Sequence, residues 1–321
     1  MKNVINSVMV LTGTFIGAGF ASGQEILQYF GIYGKYGALG IVISCVLLGA
    51  FTYCTADNIS YMGNAAYIQN VCKFRCVKWL VNFYMVLIFC TMITAFGECL
   101  QQVFNLPKIY GVILIDAVTI IILYWGAEGL IKLSVFVTPL IIAGIVFVFV
   151  ADKIIPVFNN NYVMSSVIYT SYNVISLPFV MCGLKNMFKD RKSIMCMSVI
   201  FSGIIFALGL CILKLLGIAD VGLPIPIMEA VSAKYTVCFV IVLSLSMLTT
   251  AVSNGYGFIN AVAWSNNIIL PAMGVFGILF SLFNFPFIVK YMYGIFGVMG
   301  IYILLINFYI FVKNREKPRK I

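Results

Sequence analysis

The chain contains no histidine, and only 9% of its 321 residues are charged. Without histidine, the commonest proton shuttle is missing, and with it most Ser-His-Asp and Cys-His arrangements. So few charges exclude a soluble domain of this length, whose surface would carry far more. Ten-residue alternating strands are lacking too, which excludes a membrane barrel. No second cysteine pair accompanies Cys72 and Cys76 of "CKFRC", so the ten cysteines form neither a zinc site nor a disulfide framework. Most of them lie in apolar runs, where a thiol packs as a small hydrophobe. Neither a metal cluster nor a nucleophile–base pair is visible, so the chain reads as no enzyme and as needing no cofactor.

What the sequence has in abundance is apolar length: 63% of it is hydrophobic. Runs near twenty residues recur, each able to cross about 30 Å of hydrocarbon at 1.5 Å per residue. The pattern predicts an all-α, multi-pass membrane protein with ten spans near 4–31, 36–57, 77–104, 109–125, 128–150, 162–188, 193–216, 234–257, 267–285 and 289–312. Connections are short, so residues 1–321 form one transmembrane domain. The first segment makes a poor cleavable signal, because only Lys2 precedes it and polar residues interrupt it.

Basic residues set the orientation. With the N-terminus inside, fourteen lysines and arginines fall on the cytoplasmic side and six on the outer side. That asymmetry fits the positive-inside rule and puts both termini in the cytoplasm. The formal charge of +10 is therefore a topology signal, and nothing points to nucleic acid as a partner. The basic tail 313–321 reads as a topology anchor beside the lipid bilayer.

The ten spans divide into two fives, 1–150 and 160–312. Each half opens on a helix with a polar interruption: "GTFIGAGFASG" in the first and "YTSYNVISLP" in the second. Five is odd, so the halves run with inverted topology, the sequence pointer to a secondary transporter's midplane site. Two G-x-x-x-G spacings, Gly13 to Gly17 and Gly19 to Gly23, also fit close packing of an unbroken helix. Thr14, Ser22 and Glu25 clustered among them favour a break. A broken helix in hydrocarbon survives only where protein, water, an ion or a solute satisfies its freed backbone.

"GTFIGAGFASGQEILQYF" resembles the N-terminal signature of the YkvI-like family of bacterial membrane proteins. "SYNVISLP" and "LTTAVSNGYG" add to the likeness, which covers nearly the whole chain in span pattern. That family is similar to the amino acid–polyamine–organocation superfamily, whose members share the LeuT-type 5+5 inverted repeat with helices 1 and 6 discontinuous. The resemblance implies a bacterial cell-membrane carrier of a small organic, amino-acid-like solute working by alternating access. Two extra C-terminal spans that many such carriers have are missing.

The same resemblance implies a Na⁺ site built from the Gly13 and Ile16 carbonyls of span one and, in span eight, the Ser246 carbonyl with the Thr249 and Thr250 hydroxyls. Paired threonines in a spanning helix also commonly bond back to their own carbonyls. Some proton-coupled relatives place a span-five lysine at this point. Here Lys132 sits too near the cytoplasmic start and reads as the i,i+4 partner of Glu128. Sodium is thus expected to be the coupling ion, with H⁺ carried by Glu25 as the alternative. Substrate contacts are expected from the Ala18 and Gly19 amides, with Ser22 and Gln24 nearby, and from Ser171, Tyr172 and Asn173 at the second break. "GLPIPIMEAV", 222–231, reads as a lid-like segment. A third reading is a permease-shaped receptor for a solute such as a germinant, which binds without transporting.

Overall fold

The computed structural model describes residues 1–148, 161–187, 190–216, 227, 236–262, 265–283 and 285–315. Among them every regular element is helical. The first apolar segment forms three pieces, α1 (Lys2–Phe15), α2 (Ala18–Ala21) and α3 (Gln24–Tyr29). Then come α4 (Lys35–Met62), α5 (Asn64–Val71), α6 (Arg75–Phe104), α7 (Lys108–Tyr124) and α8 (Gly126–Val148). The second half comprises α9 (Tyr162–Asn173), α10 (Leu177–Gly183), α11 (Arg191–Leu216), α12 (Thr236–Val262), α13 (Asn266–Phe280) and α14 (Phe285–Arg315).

Six helices are each long and apolar enough to cross a membrane by themselves, and the bent pair α9–α10 makes a seventh candidate. Their outer faces are greasy: Val46, Trp79, Phe136, Val199, Ile241 and Leu305 are all exposed. Water would penalise such a surface, whereas lipid does not. Inside, leucine, isoleucine and phenylalanine from every helix form one continuous core.

Helix neighbours pair off between the halves. α1 packs on α8 as α9 packs on α14, and α1 touches α11 as α9 touches α4. α6 packs along α12, and α7 along α13.

One element is new relative to the sequence reading. The stretch after α4 looks like a plain connection, yet Gly63, at φ 80°, turns the chain into the short helix α5. That helix buries Tyr67 and Val71. The Tyr67 hydroxyl donates to Asn307 Oδ1 at 2.8 Å, and Asn58 Nδ2 donates to the same oxygen at 3.1 Å. Asn307 Nδ2 in turn donates to the Phe51 carbonyl, at 3.3 Å. This buried polar knot ties α4 and α5 to α14.

The segment 222–231 lies outside the described residues except for Ile227, and so does the tail beyond Arg315. Ile227 is buried, and its N–H donates to the Ser22 carbonyl at 3.1 Å.

Candidate functional site

The first helix breaks where the glycines cluster. The Ile16 N–H still reaches the Thr12 carbonyl at 2.9 Å, but the Gly17 N–H turns to Phe15 O at 3.0 Å. Gly17 itself is extended, at φ −92° and ψ −169°. The Ala18 N–H faces the Met92 thioether at 3.4 Å. The Gly13 and Thr14 carbonyls thereby lose the amides that a continuous helix would offer them. Gly23, at φ 79°, gives a second turn that starts α3.

Thr250, projecting from α12, takes up these carbonyls. Its Oγ1 lies 3.1 Å from Gly13 O, 3.1 Å from Ile16 O and 3.4 Å from Thr14 O. A hydroxyl has one proton, so it satisfies only one acceptor at a time. The result is a nest of oxygens converging on one point inside a buried core. Thr249 lies beside it, since a Cβ on Gly13 would meet the Thr249 Cβ at 3.4 Å. The Thr249 hydroxyl, however, bonds back to Ser246 O at 3.0 Å and Leu245 O at 3.2 Å. Of the five expected ion ligands, the fold gathers Gly13, Ile16 and Thr250. Ser246 and Thr249 hold each other within α12.

The second break faces the first. α9 ends at Asn173 and α10 starts at Leu177, the two inclined by 40°. Pro178 sits in the first turn of α10, where its missing N–H costs nothing. The Tyr172 carbonyl, at the break, accepts from the Tyr84 hydroxyl at 2.8 Å and from the Ile175 N–H at 3.4 Å.

Between the breaks lies a cavity of about 30 Å³. Thr14, Phe15 and Gly17 line it from the first break, and Tyr172, Asn173 and Ser176 from the second. Tyr84, Ile88 and Met92 of α6 form one wall; Thr250 and Asn254 of α12 form another, and Glu25 completes it. The volume suffices for a head group or a water or two. Ligand pockets for whole organic molecules run to several hundred Å³, so this chamber is contracted.

Glu25 is only 4% exposed. The Tyr172 side chain lies beside its carboxyl group, and Oε2 has no protein partner. Tyr29, Tyr84 and Tyr169 also lie within electrostatic reach of it. The rings of Tyr29, Tyr169 and Tyr172 pack mutually, with centroids 5.5–5.7 Å apart. Gly19 lies directly beneath the carboxylate.

Two of the seven expected substrate contacts, Tyr172 and Asn173, line the cavity. The other five are placed elsewhere. The Ala18 amide is capped by Met92, and Gly19 serves as the floor under Glu25. The Ser22 hydroxyl donates to Gly19 O at 3.2 Å and accepts from the Gln24 N–H at 3.4 Å, which ties up the turn. Gln24 lies on the first turn of α3, away from the cavity wall. The Ser171 hydroxyl bonds back to Val167 O at 2.6 Å, and the Ser171 backbone abuts Gly300 of α14.

Asn254 and Ser176 are wall residues that the sequence reading passed over. Asn254 was legible: it stands one helical turn, four residues, beyond Thr250. Its Nδ2 donates to the Thr250 carbonyl at 2.9 Å, and its Oδ1 has no protein partner. The contribution of α6 left no signal, because Tyr84, Ile88 and Met92 lie in a uniformly apolar run.

Other acids lie apart. Asp116 is buried against Gly274 and Gly277 of α13. Glu98 pairs with Lys108 at 2.9 Å, and Lys132 with Glu128 at 2.7 Å, the latter on an exposed face. No cluster of metal-ligating side chains occurs among the described residues, and the ten cysteines are free.

No family profile matches the chain. The uncharacterized protein YyaD of Bacillus subtilis (strain 168) is 25% identical over 324 residues, spanning 93% of this chain and 94% of its own length. The uncharacterized membrane protein YkvI of the same organism is 26% identical over 202 residues, 58% of each chain. The resemblance to the YkvI-like proteins stands.

Among solved structures, a Na⁺-coupled sialic acid symporter superposes with a TM-score of 0.58 at 11% identity, covering 95% of this chain and 79% of its own. A manganese transporter of Eremococcus coleocola gives 0.58 at 12%, over 96% and 76%. Mhp1, a nucleobase-cation-symport-1 family transporter, gives 0.54 at 15%, over 86% and 70%. These likenesses show the fold: a LeuT-like, multi-pass membrane architecture, whose solved neighbours are transporters and not enzymes.

Proposed function

We propose that the chain is a secondary active transporter of a small organic solute, coupled to Na⁺ and working by alternating access in the bacterial cell membrane. In this reading it has ten spans with both termini cytoplasmic. α1 to α8 form one inverted repeat and α9 to α14 the other. The reciprocal helix pairings across the halves support the repeat. The observation that carries the function is the Thr250 hydroxyl seated among the Gly13 and Ile16 carbonyls at a helix break.

Backbone oxygens with no amide of their own suit a hard monovalent cation that has shed most of its water. On arrival, Na⁺ takes the Gly13 and Ile16 carbonyls and the Thr250 oxygen together. Thr249 Oγ1 and Ser246 O join by releasing the bond between them. Each Na⁺ moving inward down 100 mV supplies about 2.3 kcal/mol before any concentration gradient. A structural neighbour that is a Na⁺-coupled sialic acid symporter supports this reading.

The test is uptake of labelled amino acids and related solutes into proteoliposomes under imposed Na⁺ or pH gradients. A Na⁺ gradient should drive accumulation, and Thr250→Ala should abolish the Na⁺ dependence. Accumulation driven only by a pH gradient and lost in Glu25→Gln would favour the H⁺-coupled alternative, for which the buried carboxylate speaks.

A further inference from the structure

We infer that the cavity receives a cationic ammonium group of the solute, held by Glu25 and Asn254 against the rings of Tyr84 and Tyr172. This deepens the transport reading and rests on it. It gives the Ala18 and Gly19 amides, expected from the sequence as solute contacts, no part in the seat.

Two buried acceptor oxygens line the cavity. Two amides at the first break already have partners. Gly17 N–H is bonded to Phe15 O and Ala18 N–H rests on the Met92 sulfur. Glu25 Oε2 and Asn254 Oδ1, on residues 4% and 2% exposed, have no protein partner, and both residues line the same cavity. A primary ammonium carries three donors and no acceptor, the complement of such a site. A carboxylate there would face the Glu25 carboxyl group.

Charge gives the same answer. Among the described residues no lysine or arginine pairs with Glu25; the ion pairs are Lys108–Glu98, Lys132–Glu128 and Arg191–Asp57. Histidine is absent from the chain. A buried carboxylate without a resident cation calls for one from outside.

The rings decide between organic and inorganic cations. Tyr84 and Tyr172 present aromatic surface to the cavity beside Glu25, with Tyr29 and Tyr169 packed behind. Aromatic faces attract an ammonium electrostatically, most strongly where water is excluded. The oxygen nest at Thr250 is the contrasting environment, all hard ligands and no ring. The chain thus offers two cation seats of different chemistry in the lining of one small chamber.

The experiment uses purified full-length protein in nanodiscs and three probe series built on the skeletons of alanine, leucine and phenylalanine. Each series holds the zwitterion, the amine lacking the carboxylate and the acid lacking the amine. Thermal stability is read against probe concentration, with and without NaCl. The expected result is stabilisation by at least one amine or zwitterion at millimolar concentration and by none of the acids. Glu25→Gln and Asn254→Leu should each weaken that binding tenfold or more, while Glu25→Asp retains part of it.

Stabilisation by the acids alone, by inorganic cations alone, or by no probe would overturn the assignment. So would full amine affinity in Glu25→Gln. The Na⁺-induced shift, tracked separately with Thr250→Ala, reports on the ion seat and verifies folding of the Glu25 variants. If amines bind and Na⁺ has no effect, sodium coupling fails while the ammonium seat stands.

Discussion

Gly19 lies directly under the Glu25 carboxylate, and a Cβ on residue 19 would land on that group. The glycine therefore makes room for the acid, which is carried six residues later on the next half-helix. Gly19→Ala should push Glu25 away from the cavity at a cost of about 1–3 kcal/mol, as overfilled sites do. Solute uptake should fall with it. In a Glu25→Ala background, where the obstructing carboxylate is gone, Gly19→Ala should cost much less. Thermal unfolding and uptake of the four variants check the coupling.

Thr250 and Thr249 are adjacent, yet their hydroxyls face different partners. Thr250→Ala should weaken Na⁺ activation by at least about tenfold, or roughly 1.4 kcal/mol. Thr250→Ser, which keeps the oxygen, should restore most of it. Thr249→Ala should have the smaller effect, because that hydroxyl already has carbonyl partners within α12. Half-maximal Na⁺ concentrations for uptake give the ranking.

Gly300 of α14 touches the Ser171 backbone, and backbone cannot step aside as a side chain does. Gly300→Ala should separate α14 from α9 and lower stability by about 1–3 kcal/mol. Gly203 of α11 is the control, because a methyl group added there would meet no atom within 4 Å. Gly203→Ala should leave the unfolding temperature unchanged or raise it slightly, since alanine is the better helix former.

The Asn307 knot gives a prediction far from the cavity. Asn307→Ala removes the side-chain acceptor shared by Tyr67 and Asn58; Asn58 Nδ2 keeps its bond to the residue-307 carbonyl, but the buried Tyr67 hydroxyl loses its 2.8 Å acceptor. Such a loss costs about 1–3 kcal/mol. Lys132→Gln, by contrast, should change stability by less than about 1 kcal/mol and leave transport intact, because the Lys132–Glu128 pair is three-quarters exposed. Thermal unfolding separates the two.

The sequence made the helix bounds legible because hydrocarbon imposes them: expected spans such as 109–125 and 193–216 lie within two residues of α7 and α11. The breaks were legible for a related reason. Glycines, hydroxyls and a proline at 13–23 and 171–178 cannot hold a continuous helix as cheaply as leucine can. The Thr250 register came from the resemblance, and no periodicity would have supplied it.

What covers the first break was not legible. Whether a freed amide faces a solute depends on what covers it, and Met92, which covers Ala18, sits 74 residues away in a plain apolar run. The tyrosines around Glu25 come from α3, α6 and α9, so only the folded arrangement assembles them. Ser171 was misread because its hydroxyl has a local carbonyl to bond, an option open to any serine in a helix.

In the transport cycle proposed above, the Thr250 hydroxyl also bears on the empty carrier. A symporter must make its return stroke unloaded, and bare carbonyls at mid-bilayer would then be an energetic obstacle. With a threonine proton standing in for the ion, the ruptured helix keeps a partner on the way back. The residue that welcomes the passenger would thus also hold its seat during the empty leg.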